Sequence, residues 1–209
     1  MVDKMITVID YGMGNIKSVR HAFVTQGYTV EVTGNPGRLE KAKGLVLPGV
    51  GAFGEAVYNL NRQGALGIIR EKVLSGTPFL GICLGMQLIF EKSEEAPGVK
   101  GLSLLKGSVV RFRGNFKVPL IGWNRVFLKR KCRLFEGIGD GSFFYFVHSY
   151  FVKPAFLGDV AAYSNHGNPF PAAVVKKNFF GLQFHPEKSS GEGLKIIDNF
   201  GKLVREQWR

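Results

Sequence analysis

Between Met5 and Phe90 the chain alternates short runs rich in β-branched residues with segments of helical period, a pattern that restricts it to βαβ units around a largely parallel sheet. The apolar runs are MITVID (5–10), YTVEVT (28–33), GLVLPG (44–49) and PFLGIC (78–83). Helical segments are expected at Ile16–Gln26, near Arg38–Ala42, at Ala65–Ser75 and at Leu84–Phe90. Past Lys100 the texture changes. SVVRFRG (108–114), GWNRVFLK (122–129), SFFYFVHSYFVK (142–153), DVAAYS (159–164) and AAVVKKNFFGLQFHP (172–186) read as strands with few helices between them, an antiparallel extension of the same sheet. Gly193 to Trp208 then reads as an amphipathic helix, with Leu194, Ile197, Phe200 and Val204 at helical spacing. The expected fold class is α/β in three layers: a largely parallel central sheet, flanking helices, and an antiparallel extension in the C-terminal half. At 209 residues one domain, 1–209, accommodates this without disulfides or metals.

No apolar run approaches the roughly 20 residues that span a bilayer. The opening MVDKMITVIDYGMGN has neither the apolar segment nor the cleavage site of a signal peptide, so a soluble, cytoplasmic protein is expected, with both cysteines, Cys83 and Cys132, kept as thiols. The formal net charge of +12 favours acidic partners without naming them. Its densest cluster, LKRKCRLF (128–135), has the composition of a solvated loop, with a nucleic-acid or acidic-protein contact as the alternative. Neither zinc-ligand spacing nor an RNA-binding aromatic signature accompanies it, which makes nucleic acid an unpromising partner.

Gly81-Ile82-Cys83-Leu84-Gly85 has the spacing of a nucleophile elbow, a side chain presented on a sharp strand-to-helix turn. A helix starting at Leu84 would turn its positive end towards Cys83 and favour the thiolate. A small buried thiol closing a parallel strand explains the same five residues equally well. The histidines break the tie. His21 lies within a helical segment and His166 in a turn, whereas GLQFHPEKS ends an apolar strand at His185-Pro186-Glu187. Alternate strand residues share a face, so imidazole and carboxylate can project together, the carboxylate fixing the imidazole tautomer for a Cys nucleophile. LPGVGAFGEA (47–56) supplies a glycine-rich turn able to aim backbone amides at a developing oxyanion. A phosphate loop would need a lysine and hydroxyl residue that are missing there, and Lys17 replaces the third glycine of a dinucleotide fingerprint in DYGMGNIK.

With PGVGAFG, GICLGMQ and FHPEKS in this order, the chain resembles the class I, triad-type glutamine amidotransferases, which have a flavodoxin-like three-layer fold. Within them, IDYGMGNIKSV, GWN (122–124), YFVHSYF (145–151) and Lys188-Ser189 look like the glutaminase subunits of imidazole glycerol phosphate synthases. The resemblance implies glutamine hydrolysis by a Cys83, His185, Glu187 triad through a glutamyl thioester. It places the oxyanion on the amides of Leu84 and of Val50 or Gly51, and glutamine against Gly49, Gln87, Ser149 and Tyr150. It leaves His148 outside the catalytic set. It implies a heterodimer with a (β/α)8-barrel cyclase subunit, which receives the ammonia for histidine biosynthesis, across Trp123, Asn124, Tyr145 and Lys188. It implies no cofactor and no metal. Two rival readings stand beside it: a free-standing hydrolase of similar elbow architecture, and a basic nucleic-acid-binding protein on an inactive amidotransferase fold.

Overall fold

The computed structural model describes residues 5–207. Its first half alternates strands β1 (Met5–Ile9), β2 (Thr29–Thr33), β3 (Leu45–Gly49) and β4 (Phe79–Cys83) with helices α1 (Ile16–Thr25), α2 (Pro36–Leu39), α3 (Phe53–Arg62) and α4 (Ala65–Leu74). The helix α5 (Leu84–Gln87) follows directly on β4. Then come β5 (Phe90–Ser93), β6 (Ala96–Lys100), β7 (Leu105–Arg111), β8 (Leu120–Leu128), β9 (Ser142–His148), β10 (Tyr150–Pro154), β11 (Val160–His166), β12 (Asn168–Lys176), β13 (Phe179–Leu182) and α6 (Ser190–Gln207). Trp208, placed in the last helix by sequence periodicity, lies outside the described residues.

The strands form a nine-stranded sheet in the order β2-β1-β3-β4-β13-β12-β11-β8-β9. It is parallel from β2 to β13 and antiparallel from β13 to β9, the parallel sheet with antiparallel extension expected from the alternation. Both faces of the parallel part are covered, which is why its strands read as nearly continuous apolar runs. Residues alternate between two buried clusters. Val46 packs into the cluster that holds Val19 and Phe23 of α1 and Phe200 of α6, while its neighbours Leu45 and Leu47 join Phe53 and Leu60 of α3 and Ile69 of α4. Among the described residues no helix is long and apolar enough to cross a membrane.

Three expectations need correction. α3 was read as part of a glycine-rich turn, yet Phe53, Ala56, Val57 and Leu60 form its buried stripe at helical spacing. The helix after Cys83 stops at Gln87 rather than Phe90, because Phe90 opens a strand. The later strands do not all extend the main sheet: β7 and β10 join β5 and β6 in a separate four-stranded sheet, ordered β10-β7-β5-β6. SFFYFVHSYFVK therefore splits, with β9 in the large sheet and β10 in the small one and only Ser149 between them.

Candidate active site

Cys83 ends β4 with φ 56° and ψ −108°, a conformation that non-glycine residues rarely adopt and that costs on the order of 1–3 kcal/mol. The flanking glycines make the turn sterically possible. A Cβ on Gly85 would sit 1.9 Å from the Leu47 carbonyl oxygen, and one on Gly81 2.5 Å from that of Gly85. α5 therefore lies directly on the ends of β3 and β4, with no layer of side chains between. Gly85→Ala is expected to destabilise the fold by about 3 kcal/mol or more through this clash with backbone. Chemical denaturation measures it; a loss below about 0.5 kcal/mol, the range of an ordinary surface substitution, would refute the close packing.

The His185 Nδ1 to Glu187 Oε1 distance is 2.8 Å, and their side chains are 2% and 1% exposed. Nδ1–H donates to the carboxylate, which leaves Nε2, without a hydrogen-bond partner of its own among the described residues, to face the thiol. Burial disfavours the charged imidazole, but the charge and hydrogen bond of Cys83 and then those of Glu187 outweigh it and hold His185 well above its ordinary value. The route to this geometry differs from strand alternation. β13 already ends at Leu182, and a 3₁₀ turn at Pro186–Lys188 brings the carboxylate back under the ring. Buried Ser189, which the sequence reading passed over, braces that turn: its Oγ donates to the His185 carbonyl at 2.6 Å and accepts from Tyr145 N at 3.0 Å. His185 N in turn donates to the Tyr145 carbonyl at 2.9 Å.

With one turn only, α5 offers Cys83 little of the macrodipole support that a longer helix would supply. Buried Gln183, also unread from sequence, contributes instead, its Nε2 lying 3.7 Å from the sulfur. Its Oε1 meets Gln87 Nε2 at 3.3 Å, and the same Nε2 donates to the Tyr150 carbonyl at 2.9 Å.

A cavity of about 240 Å³ opens over the sulfur. Of the residues expected around substrate and oxyanion, Val50, Gly51, Leu84, Gln87, Ser149 and Tyr150 line it together with Cys83. Gly51 has φ +90°, the kind of backbone an amide-aiming turn requires. Gly49 is not among the lining residues. It is paired with Cys83 at the end of β3, where a Cβ would meet the Leu84 Cβ and the Tyr11 hydroxyl, each at 2.7 Å. Glu95, Val147 and His148 complete the wall. Glu95 comes from the turn between β5 and β6 and its carboxylate accepts from Phe53 N at 2.7 Å, so the second sheet adds an acidic group that one-dimensional reading gave no reason to place here.

The four residues expected at an interface do not share one environment. Trp123 and Tyr145 are cross-strand partners on β8 and β9 with ring centroids 6.2 Å apart, and Lys188 Nζ lies 5.8 Å from the Tyr145 ring centre. Ile121 and Phe143 stand exposed beside them. Asn124 is tied down separately, its amide donating to the Asn165 carbonyl at 2.6 Å.

Known proteins resemble this chain over nearly its whole length. The family model for glutamine amidotransferase class-I matches residues 7–203. "Imidazole glycerol phosphate synthase subunit HisH" of Moorella thermoacetica is 50% identical over 96% of this chain and 95% of its own length. The protein of that name from Pyrococcus furiosus is 48% identical over 95% of this chain and 98% of its own. In three dimensions, a crystal structure titled as a glutamine amidotransferase superposes with a TM-score of 0.74 over 95% of this chain and 98% of that one, at 20% identity, which speaks for the fold alone. The match across nearly the whole length, on a scaffold that carries an elbow cysteine beside a buried His-Glu pair, establishes that this chain belongs to the class-I glutamine amidotransferase family.

Proposed function

We propose that this chain is the glutaminase subunit of an imidazole glycerol phosphate synthase, hydrolysing glutamine to glutamate and ammonia for a (β/α)8-barrel cyclase subunit of histidine biosynthesis in the cytoplasm. One observation carries the reading: Cys83 sits on a strained elbow beneath a small cavity, beside a His185 whose other nitrogen is held by buried Glu187. One domain, 1–209, suffices for it.

In this reading the Cys83 thiolate attacks the side-chain carbonyl carbon of glutamine. The developing oxyanion is taken by the amide of Leu84 and by Val50 or Gly51. Imidazolium at His185 gives its Nε2 proton to the departing nitrogen, ammonia leaves, and a glutamyl thioester remains on Cys83. Water, losing its proton to the now neutral His185, attacks the thioester; glutamate departs and the thiolate returns. Glu187 stabilises the imidazolium and keeps its proton-bearing Nε2 towards the sulfur. Glu95 has the charge to receive the α-ammonium group of an amino acid, and Ser149 and Tyr150 line the same cavity. Gln87 uses its Nε2 on Tyr150 and Gln183 and so has its Oε1 to offer. Trp123, Tyr145 and Lys188, with exposed Ile121 and Phe143, form the face against which the cyclase subunit would dock, with Asn124 bracing the strand from behind.

Ammonia made without an acceptor wastes glutamine, and in the Gly49-Val50-Gly51 turn the chain leaves β3 after Gly49 and does not enter α3 until Phe53, so the Val50 and Gly51 peptides belong to neither element. Rotating a peptide there exchanges an N–H for a carbonyl, and losing one oxyanion donor costs about 10² to 10³ in rate. Steady-state glutaminase kinetics are therefore expected to rise from the lone chain, to the pair, to the pair with cyclase ligand. A lone chain as fast as the ligand-bound pair would show the turn to be permanently formed. Unchanged, salt-sensitive DNA binding with no glutaminase in any form would favour the nucleic-acid alternative.

A further inference from the structure

His148 lines the cavity but takes no part in the chemistry above, and its surroundings give it a different task. Its Nδ1 lies 2.8 Å from the Tyr150 carbonyl oxygen. A carbonyl only accepts, so Nδ1 carries the proton and Nε2 holds a lone pair. That Nε2 is buried and, among the described residues, has no hydrogen-bond partner, an arrangement which costs stability unless the ring is needed where it stands. Phe112, Phe146 and Phe170 enclose the ring at centroid distances of 5.2, 5.7 and 5.2 Å. Burial, against the help of the Tyr150 carbonyl, pushes the imidazole down to about 3, so it stays neutral. His185, by contrast, has a carboxylate on Nδ1 and the thiol on its other side. The two histidines near Cys83 thus divide into one that can become imidazolium and one that cannot.

The Tyr150 carbonyl also accepts from Gln87 Nε2 at 2.9 Å, so it is held from α5 on one side and from β9 on the other. Ser149, the single residue between the two sheets, has its own carbonyl held by Phe112 N at 3.0 Å, and the Val147 carbonyl lies 3.9 Å from the Cys83 sulfur. We propose that His148 is a positioning residue: its Nδ1–H fixes the one-residue crossing between the two sheets, so that residues 149–150 keep their place opposite Cys83 and receive substrate without being remade each turnover. This rests on the reading of the cavity as the glutamine site.

Three variants of the chain, assayed with the cyclase subunit bound, separate hydrogen bonding from packing. His148→Asn retains a donor near the Nδ1 position, His148→Gln moves it outward, and His148→Phe fills the space without one. The Phe and Gln variants are expected to raise KM for glutamine about tenfold, the worth of one net hydrogen bond, with kcat reduced much less, and Asn is expected to recover most of the loss. Histidine ¹⁵N spectra of the native chain should show His148 as the neutral Nδ1–H tautomer at neutral pH. An unchanged KM in His148→Phe, an Asn variant no better than Phe, or a His148 that is Nε2–H or charged would each overturn the assignment. Should a variant fail to fold, the tautomer still decides. If Cys83→Ala retained glutaminase activity, the reading of the site itself would fall, a result separate from any outcome at His148.

Discussion

Cys83→Ala is expected to abolish glutamine hydrolysis, by a factor of about 10⁴ or more, while ammonium-dependent synthesis by the reconstituted pair continues. The reason is chemical: without sulfur there is no thioester, and water in its place would have to attack a carboxamide directly. The fold should tolerate the change. Alanine removes one buried atom, and the elbow is shaped by Gly81 and Gly85 rather than by the thiol. The positive φ at position 83 is borne by alanine as by cysteine, so its strain cancels from the difference in stability between the two. Comparing glutamine-driven with ammonium-driven turnover in the same preparation removes folding from the question. Near-native glutaminase activity would mean that Cys83 is a structural thiol closing a parallel strand.

Glu187→Gln is expected to slow thioester formation by about 10² to 10⁴ while KM for glutamine changes little. The carboxylate sits 2.8 Å from His185 Nδ1 and does not line the cavity, so it acts on the base and not on the substrate. An amide is neutral and can point its NH₂ at Nδ1, which makes Nδ1 the acceptor, puts the single proton of the neutral imidazole on Nε2 where it cannot act as a base, and leaves the imidazolium unsupported. The proton balance also predicts a shift with pH. His185 owes its raised value to Cys83 first among its supports and to Glu187 after it, so removing the carboxylate should lower the pH above which the imidazolium is lost. Pre-steady-state acylation across a pH series measures both effects. Unchanged acylation would make Glu187 a bystander.

Much of this site was legible in one dimension because its parts are local. The elbow is five consecutive residues, and the strands that carry it are buried on both faces, hence apolar throughout. The His185 and Glu187 pair was found for a partly mistaken reason, since a 3₁₀ turn and not strand alternation joins them. What stayed hidden is long-range. Gln183 meets Cys83 across 100 residues of chain and Ser189 meets Tyr145 across 44, and neither contact leaves a mark in local spacing. The second sheet escaped notice because β5 and β6 are short, with β6 largely exposed, so EKSEEAPGVK has the polarity of a loop. α3 was missed despite a regular buried stripe, because Gly51 in front of it, Gly54 in its first turn and Asn59, Asn61 and Arg62 away from that stripe suggested a turn.

The central claim is that Cys83 carries the glutamyl group. Acid-quenching the cyclase-bound chain during glutamine turnover, followed by peptide mapping by mass spectrometry, tests it most directly. The account predicts a glutamyl adduct on the peptide containing Cys83, gained on mixing with glutamine and absent in Cys83→Ala. Sustained glutamine turnover with the Cys83 peptide unmodified at every quench time, or with the adduct on Cys132, would contradict it.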